Sequence, residues 1–188
     1  MRVIGIDPGT AIVGYGIVDY EKGKYNLIDY GCINTDKNLP MEDRLLIIYN
    51  DLKKILEKYS PNEMAVEDLF YFKNNKTVIS VGQARGVILL AGKEKNIILN
   101  NYTPLQVKIG ISGYGRATKN QVQQMVKTIL NLEEIPKPDD AADAIAIAIT
   151  HINTLLSGIP NQTKAIPKKI KNISNKITAE EYKKLFVK

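Results

Sequence analysis

The sequence predicts an α/β domain with a mixed five-stranded sheet flanked by helices. Three observations carry this: three strand-type segments follow one another at the start of the chain, strand and helix patterns alternate after them, and two apolar strand runs end in a carboxylate, at Asp7 and Glu67.

Val3-Ile4-Gly5-Ile6-Asp7 is an apolar run closed by Pro8-Gly9, the pattern of a central buried strand ending in a turn. Tyr15 to Tyr20 and Tyr25 to Thr35 follow, separated by the turn cluster Glu21-Lys22-Gly23-Lys24, so the three runs read as an antiparallel meander. After Pro40, apolar residues Leu45, Ile48, Leu52, Ile55, Leu56 and Tyr59 recur at helical spacing until Ser60-Pro61, where proline blocks continuation. Met64-Ala65-Val66-Glu67 is a fourth strand. A helix over about Lys76 to Lys93 and a fifth strand at Asn96 to Asn100 come next. Gly110 to Arg116 reads as a glycine-rich loop leading into a helix from Lys119 to Asn131, and Asp139 begins a last helix that reaches Leu156.

The composition is that of an ordinary globular protein: 188 residues, 44% hydrophobic, 24% charged and 7% aromatic, which excludes collagen-like and coiled-coil classes. A chain of this size buries roughly 70% of its unfolded surface, enough for a core without a disulfide or metal staple. Cys32 has no partner for an intrachain disulfide, no run approaches ~18 apolar residues, and the start of the chain reaches Asp7 too early for a signal peptide. A soluble, cytoplasmic protein without membrane association is expected. The formal net charge of +6 suggests an anionic partner, but it is unevenly placed. Residues 1–156 carry 18 basic and 18 acidic side chains, whereas Ser157 to Lys188 carry eight Lys and two Glu. The chain therefore divides into a neutral body, 1–156, and a basic tail, 157–188. The tail reads as a linker with a short helix near Thr178 to Val187, where Thr178 and Glu181 have capping-box spacing; it is either solvated or a phosphate-binding arm.

In open α/β sheets ligands bind at the C-terminal strand ends, where Asp7 and Glu67 stand. If their strands are neighbours the two acids converge. Asp140 and Asp143 are three apart, so they share a helix face and are expected in its first turn. Oxygen-only ligands suit Mg²⁺ or Mn²⁺ and disfavour zinc, since Cys32 and His151 are too few for a nitrogen or sulfur site. Two such ions ~4 Å apart can activate a water and stabilise the leaving oxygen of a phosphodiester. Each acid also has a structural explanation: turn chemistry for Asp7, a solvated strand end for Glu67 beside Asp68, and helix capping or dipole pairing for Asp139, Asp140 and Asp143.

Five blocks taken together resemble the RuvC Holliday-junction resolvases. They are Gly5-Ile6-Asp7-Pro8-Gly9-Thr10, Gly14-Tyr15-Gly16, Ala65-Val66-Glu67-Asp68-Leu69-Phe70 with Lys73-Asn74, Gly82-Gln83-Ala84-Arg85-Gly86-Val87, and Asp140-Ala141-Ala142-Asp143-Ala144 through His151, and they span about Met1 to Leu156 in the family's order. The resemblance implies a ribonuclease H-like fold, a homodimer, and Mg²⁺-dependent paired nicking of four-way DNA junctions in recombination and repair, alongside the RuvA and RuvB branch-migration proteins. It implies that Asp7, Glu67, Asp140 and Asp143 are the catalytic acids and hold two Mg²⁺ ions, with Mn²⁺ as a substitute. Asp139 lies outside the match, so the choice of Asp140 rests on the Asp-Ala-Ala-Asp spacing.

The segment Phe70 to Lys76 sets aromatics beside cations and amides, either to stack on bases and contact phosphate or to pack as a small satellite core. Phe70 matches the family position that pushes against bases, and Lys73 and Lys76 are expected at phosphate. Lys108, Arg116 and Lys119 surround the glycine-rich stretch; Lys108 and Lys119 match the family's basic positions, and otherwise each is a solvated surface charge. Gly82 and Gly86, four apart on a helix, each cost about 1 kcal/mol relative to alanine, which a close helix contact explains. That contact is either internal or, by resemblance, part of the dimer interface. His151, Met64 and Met125 are expected in the core, and Cys32 is expected as a small buried hydrophobe. Two other functions fit parts of the pattern: a junction-binding protein that does not cut, and an actin-like or sugar-kinase phosphotransferase, for which the chain is short and lacks a second phosphate-binding glycine turn.

Overall fold

The computed structural model describes residues 1–68 and 75–158, with the side chains of 75–77 also outside the description. The expected tail helix near residues 178–187 lies outside the described residues.

Strands β1 (Arg2–Asp7), β2 (Ile12–Glu21) and β3 (Lys24–Asn34) form the expected meander. Helix α1 (Met41–Tyr59), strand β4 (Glu63–Glu67), helix α2 (Asn75–Glu94) and strand β5 (Ile98–Tyr102) follow, then helices α3 (Pro104–Ser112), α4 (Lys119–Ile129) and α5 (Asp139–Leu156). The sheet order is β3-β2-β1-β4-β5, with β1 antiparallel to β2 and parallel to β4, and β4 parallel to β5. This is the mixed five-stranded sheet the sequence predicts.

Because strand side chains alternate between faces, each strand feeds two cores. Ile4, Ile6, Met64 and Val66 pack with Ile48, Leu52 and Leu56 of α1 and Ala84 and Ile88 of α2. Val3 and Ala65 face the other way, toward Val107 of α3, Val122 and Val126 of α4, and Ile145 and Ile149 of α5. Burying each such side chain is worth roughly 1.5–3 kcal/mol. Helix α1 ends where Ser60 turns left-handed at φ 46° and donates its N–H to the Leu56 carbonyl, just before Pro61.

Helix α5 lies directly on the backbone of β1 and β2. A Cβ on Gly5 would fall 2.0 Å from the Ala144 carbonyl oxygen, one on Gly14 would fall 2.1 Å from that of Asp140, and one on Gly16 would fall 2.5 Å from Ile145 Cγ1. Only glycine permits this approach. The far end of α5 is fixed by a buried polar network. His151, with no exposed surface, places Nε2 2.8 Å from Glu63 Oε2 and Nδ1 2.8 Å from Tyr102 Oη. Burial lowers the His151 pKa, against the opposing pull of Glu63. Its expected core role holds, as does that of Met64, which has no exposed surface; Met125 and Cys32 are only partly buried.

Two local expectations are corrected. Residues 110–112 belong to α3 and are not loop: Thr103 caps the helix reciprocally with Gln106, Pro104 sits at its start, and Gly113 ends it at φ 71°. The fifth strand is Ile98–Tyr102, two residues later than expected, because Asn96 at φ 57° is still in the turn after α2.

Candidate active site

β1 and β4 run parallel as neighbours with Ile6 aligned to Val66, so Asp7 and Glu67 come next, side by side at the C-terminal edge. Both point to the α5 side, in phase with Val3 and Ala65. Across β1 and β2, Asp7 is paired with Gly14, and Gly14 is the residue against which the Asp140 carbonyl rests. The glycine contact thus brings the start of α5 over the strand end that carries Asp7.

The electrostatics record this convergence. Burial, then the charges of Asp143 and Asp140, raise the Asp7 carboxyl to about 6, opposed by Lys119 and by a hydrogen bond shared with Glu67. Burial, then the charges of Asp7 and Asp143, raise Glu67 to about 8. Burial also raises Asp143, although its hydrogen bond with Lys119 opposes the shift. Burial would lower Lys119, but its contact with Asp143 and the charges of Asp139 and Asp140 hold it above its ordinary value.

Asp143 is the fifth residue of α5, so the helix's first turn holds Asp139 and Asp140, and Asp143 falls one turn further in than expected. No side chain caps this helix, whose N-cap is Pro138, so capping does not explain Asp139 or Asp140. The two adjacent acids separate by partner. Asp139 is paired with Lys137 at 2.8 Å, which lowers its pKa, and both acids act on Asp143, but it is Asp140 whose charge also raises Asp7.

The structure pairs Asp7 with Glu67 and ties Asp143 to Lys119; among the described residues it does not gather three acidic, histidine or cysteine side chains into a ready coordination cage. The donor set fits hard divalent cations even so. Asp7 and Glu67 stand side by side, with Asp140 and Asp143 near enough to act on Asp7, and burial first, then these neighbouring negative charges, raises Asp7 and Glu67, a setting that a divalent cation would relieve.

Beside the acids is an open cavity of about 180 Å³ lined by Glu67, Asp143, Lys108, Lys119, Val107 and Val122, among others. The reciprocal cap of Thr103 with Gln106 starts α3, which carries Lys108, and a second reciprocal cap, Thr118 with Gln121, starts α4 at Lys119. Both lysines therefore sit on helices, not on a loop. Arg116 is exposed and does not line this cavity. Phe70 and Lys73 lie outside the described residues, as does the side chain of Lys76. Gly82 and Gly86 are on α2, and among the described residues a Cβ on Gly86 would meet nothing within 4 Å, so no described contact within the chain requires that glycine.

Sequence reasoning missed the cap at Thr103, whose signal is Thr103-Pro104-Leu105-Gln106, and it gave Arg85, quoted within the Gly82 to Val87 block, no role of its own. The Arg85 Nε donates to the Glu67 carbonyl oxygen at 3.2 Å, a contact for which the sequence holds no local signal.

A family model described as crossover junction endodeoxyribonuclease RuvC matches residues 3–151. A protein of that description from Fusobacterium nucleatum is 64% identical over 192 residues, covering 100% of both chains. Among solved structures, Thermus thermophilus RuvC aligns with a TM-score of 0.79 at 37% identity, covering 84% of this chain and 97% of that one. T. thermophilus RuvC in complex with Holliday junction substrate aligns at 0.78 and 34% identity, with the same coverage.

Proposed function

The chain belongs to the RuvC family of crossover junction endodeoxyribonucleases and is a junction-resolving endonuclease; from that premise we propose that Asp7, Glu67, Asp140 and Asp143 are its catalytic acids. The observation that carries this assignment is the convergence at Asp7, a partly buried carboxyl at the end of β1, beside the strand end of Glu67 on β4 and opposite Gly14, on which the Asp140 carbonyl of α5 rests; it feels Asp140 and Asp143 and shares a hydrogen bond with Glu67.

The family's nucleases are metal-dependent. Here the four acids would hold two Mg²⁺ ions, for which Mn²⁺ can substitute. Such ions supply Lewis acidity at a phosphodiester. The chain's own part is to orient the carboxylates, line one side of the cavity with the apolar Val107 and Val122, and present Lys108 and Lys119 to the scissile phosphate. A fixed cation there stabilises charge that builds up in the transition state. Phe70, Lys73 and Lys76 follow Glu67 in sequence and would meet bases and phosphates at the junction centre, with Arg116 further out.

A homodimer suits the task, since two sites related by a two-fold axis address two like strands. An exposed stripe on α2 supports it: Ile79 and Leu90 are 68% and 61% exposed and flank Gly86 on the same helical face. RuvA and RuvB are the partners this reading entails. The neutral body 1–156 is the nuclease domain, and the basic tail 157–188 adds a salt-sensitive grip on DNA. A cytoplasmic location fits the substrate and the unpaired Cys32, and among the described residues no helix is long and apolar enough to cross a membrane.

The test is to incubate the protein with a labelled synthetic four-way junction, and separately with linear duplex, in Mg²⁺. Paired nicks at symmetric positions in the junction alone support the reading. Equal cutting of both substrates, or binding without nicks in every divalent metal tried, would refute it.

A further inference from the structure

We propose that Arg85 is a positioning residue, which fixes the backbone of Glu67 and through it the placement of the Glu67 carboxylate. The proposal rests on Glu67 being one of the acids that hold metal.

Arg85 projects from α2 to the place where β4 and β5 end. Its Nε donates to the Glu67 carbonyl oxygen at 3.2 Å, and its Nη2 donates to Asn101 Oδ1 at 2.6 Å and lies 2.9 Å from Asp68 Oδ1. Three neighbouring positions, Glu67, Asp68 and Asn101, are thus held by one planar group. A guanidinium has fixed donor directions that suit this arrangement, and a lysine ammonium cannot reproduce them. The side chain is 17% exposed, so its contacts are shielded from water, and its charge is matched by Asp68.

The location explains why a clamp is useful there. Glu67 is the last residue of β4, and the Asp68 N–H to the Tyr102 carbonyl, at 2.8 Å, is the last bond that continues the ladder beyond it. A carboxylate on a strand terminus has less backbone restraint than one in mid-strand. Arg85 supplies the restraint from a helix whose flanking residues, Ala84 and Ile88, are fully buried in the core beneath the sheet. The clamp is therefore referred to the rigid part of the fold.

Groups that orient metal ligands from outside the coordination sphere typically alter metal affinity by 10–100-fold when removed. In the full-length protein, Arg85→Met is accordingly expected to weaken Mn²⁺ binding, read by electron paramagnetic resonance without DNA, by about 10-fold. Junction cleavage should then need correspondingly more Mn²⁺, while junction affinity measured in Ca²⁺ stays at the parental value. Arg85→Lys should fall between the two. Parental Mn²⁺ affinity in folded Arg85→Met would overturn the proposal. So would a loss of melting temperature and junction affinity with no change in the metal midpoint, which is the mark of a purely structural role. Should Arg85→Met fail to fold, Arg85→Lys decides by the same midpoint. Glu67→Gln separates the two levels: if it binds Mn²⁺ as the parent does, the assignment of Glu67 is wrong, whereas weakened binding there with parental behaviour in both Arg85 variants refutes the role of Arg85 alone.

Discussion

Lys119 Nζ lies 2.7 Å from Asp143 Oδ2 and 4.0 Å from Asp139 Oδ2, so the first residue of α4 delivers a cation to the acids carried by α5. The pair is 55% and 28% exposed, and its worth to folding is small. Its value lies in where it places positive charge.

Lys119→Met should therefore act on the reaction more than on stability. Removing one fixed electrostatic donor from an active site commonly costs about 100-fold in rate. Single-turnover cleavage of a junction should fall by that order, while the melting temperature changes little and junction affinity in Ca²⁺ falls only modestly. Unchanged cleavage would show that the lysine is only a surface charge.

The acid cluster makes a prediction about pH. In the unfolded chain Asp and Glu titrate near 4, whereas in the folded chain burial and the neighbouring acids raise Asp7 to about 6 and Glu67 to about 8. These two folded carboxyls thus bind more protons across that interval, so their contribution to stability without metal is greatest at the acid end and declines as pH rises from about 4 to about 8, opposed below about 6.5 by the lowered pKa of buried His151. The loss is on the order of a few kcal/mol. Melting in EDTA at pH 5.5, 7 and 8.5 should show the decline, and excess Mg²⁺ should reduce it. A melting temperature that is level across this range in EDTA would mean that the carboxylates are not crowded.

Gly14 tests the approach of α5. A Cβ there meets the Asp140 carbonyl at 2.1 Å, and backbone cannot rotate aside as a side chain can. Gly14→Ala should cost about 1–3 kcal/mol, the usual range for overpacking, and should reduce cleavage further by lifting Asp140 away from Asp7. Gly23→Ala is a poor control because its φ of 80° disfavours a side chain. Gly86→Ala, with open space around it, should leave monomer stability unchanged or slightly raised. Equal behaviour of Gly14→Ala and Gly86→Ala would contradict the close contact.

The α2 stripe predicts the assembly. Leu90→Glu or Ile79→Glu places a charge on an exposed apolar position, which costs a monomer almost nothing but disrupts an interface that buries it. Light scattering should report a dimer for the parent and a monomer for either variant, each with its melting profile largely kept. A parent that is monomeric at high concentration would remove α2 from this role.

The parts of the fold legible in the sequence are those fixed by local pattern. Runs such as Val3 to Ile6 and Met64 to Val66 are apolar because both sheet faces are covered, and each is followed at once by the acid that ends its strand. The Ile48, Leu52 and Leu56 spacing gave α1 in the same way. Helix α3 was hidden because Gly110 suggested a loop, although in the folded chain Gly110 is packed against Thr150 of α5. Strand β5 was misplaced because it mixes exposed Ile98 with the buried polar Asn100, whose amide serves Glu63, so it lacks the apolar run that marks β1 and β4. The relation of Gly14 to Asp140 and that of Arg85 to Glu67 join residues far apart in the chain, so no spacing rule reveals either.

The most direct test of the assigned chemistry is cleavage of a synthetic four-way junction by Asp7→Asn in Mg²⁺, with junction affinity measured alongside. The partly buried carboxyl at the end of β1 is at the centre of the cluster, so the amide should abolish cleavage while junction binding persists, strengthened if anything by the loss of one negative charge. Cleavage by Asp7→Asn at the parental rate would contradict the account.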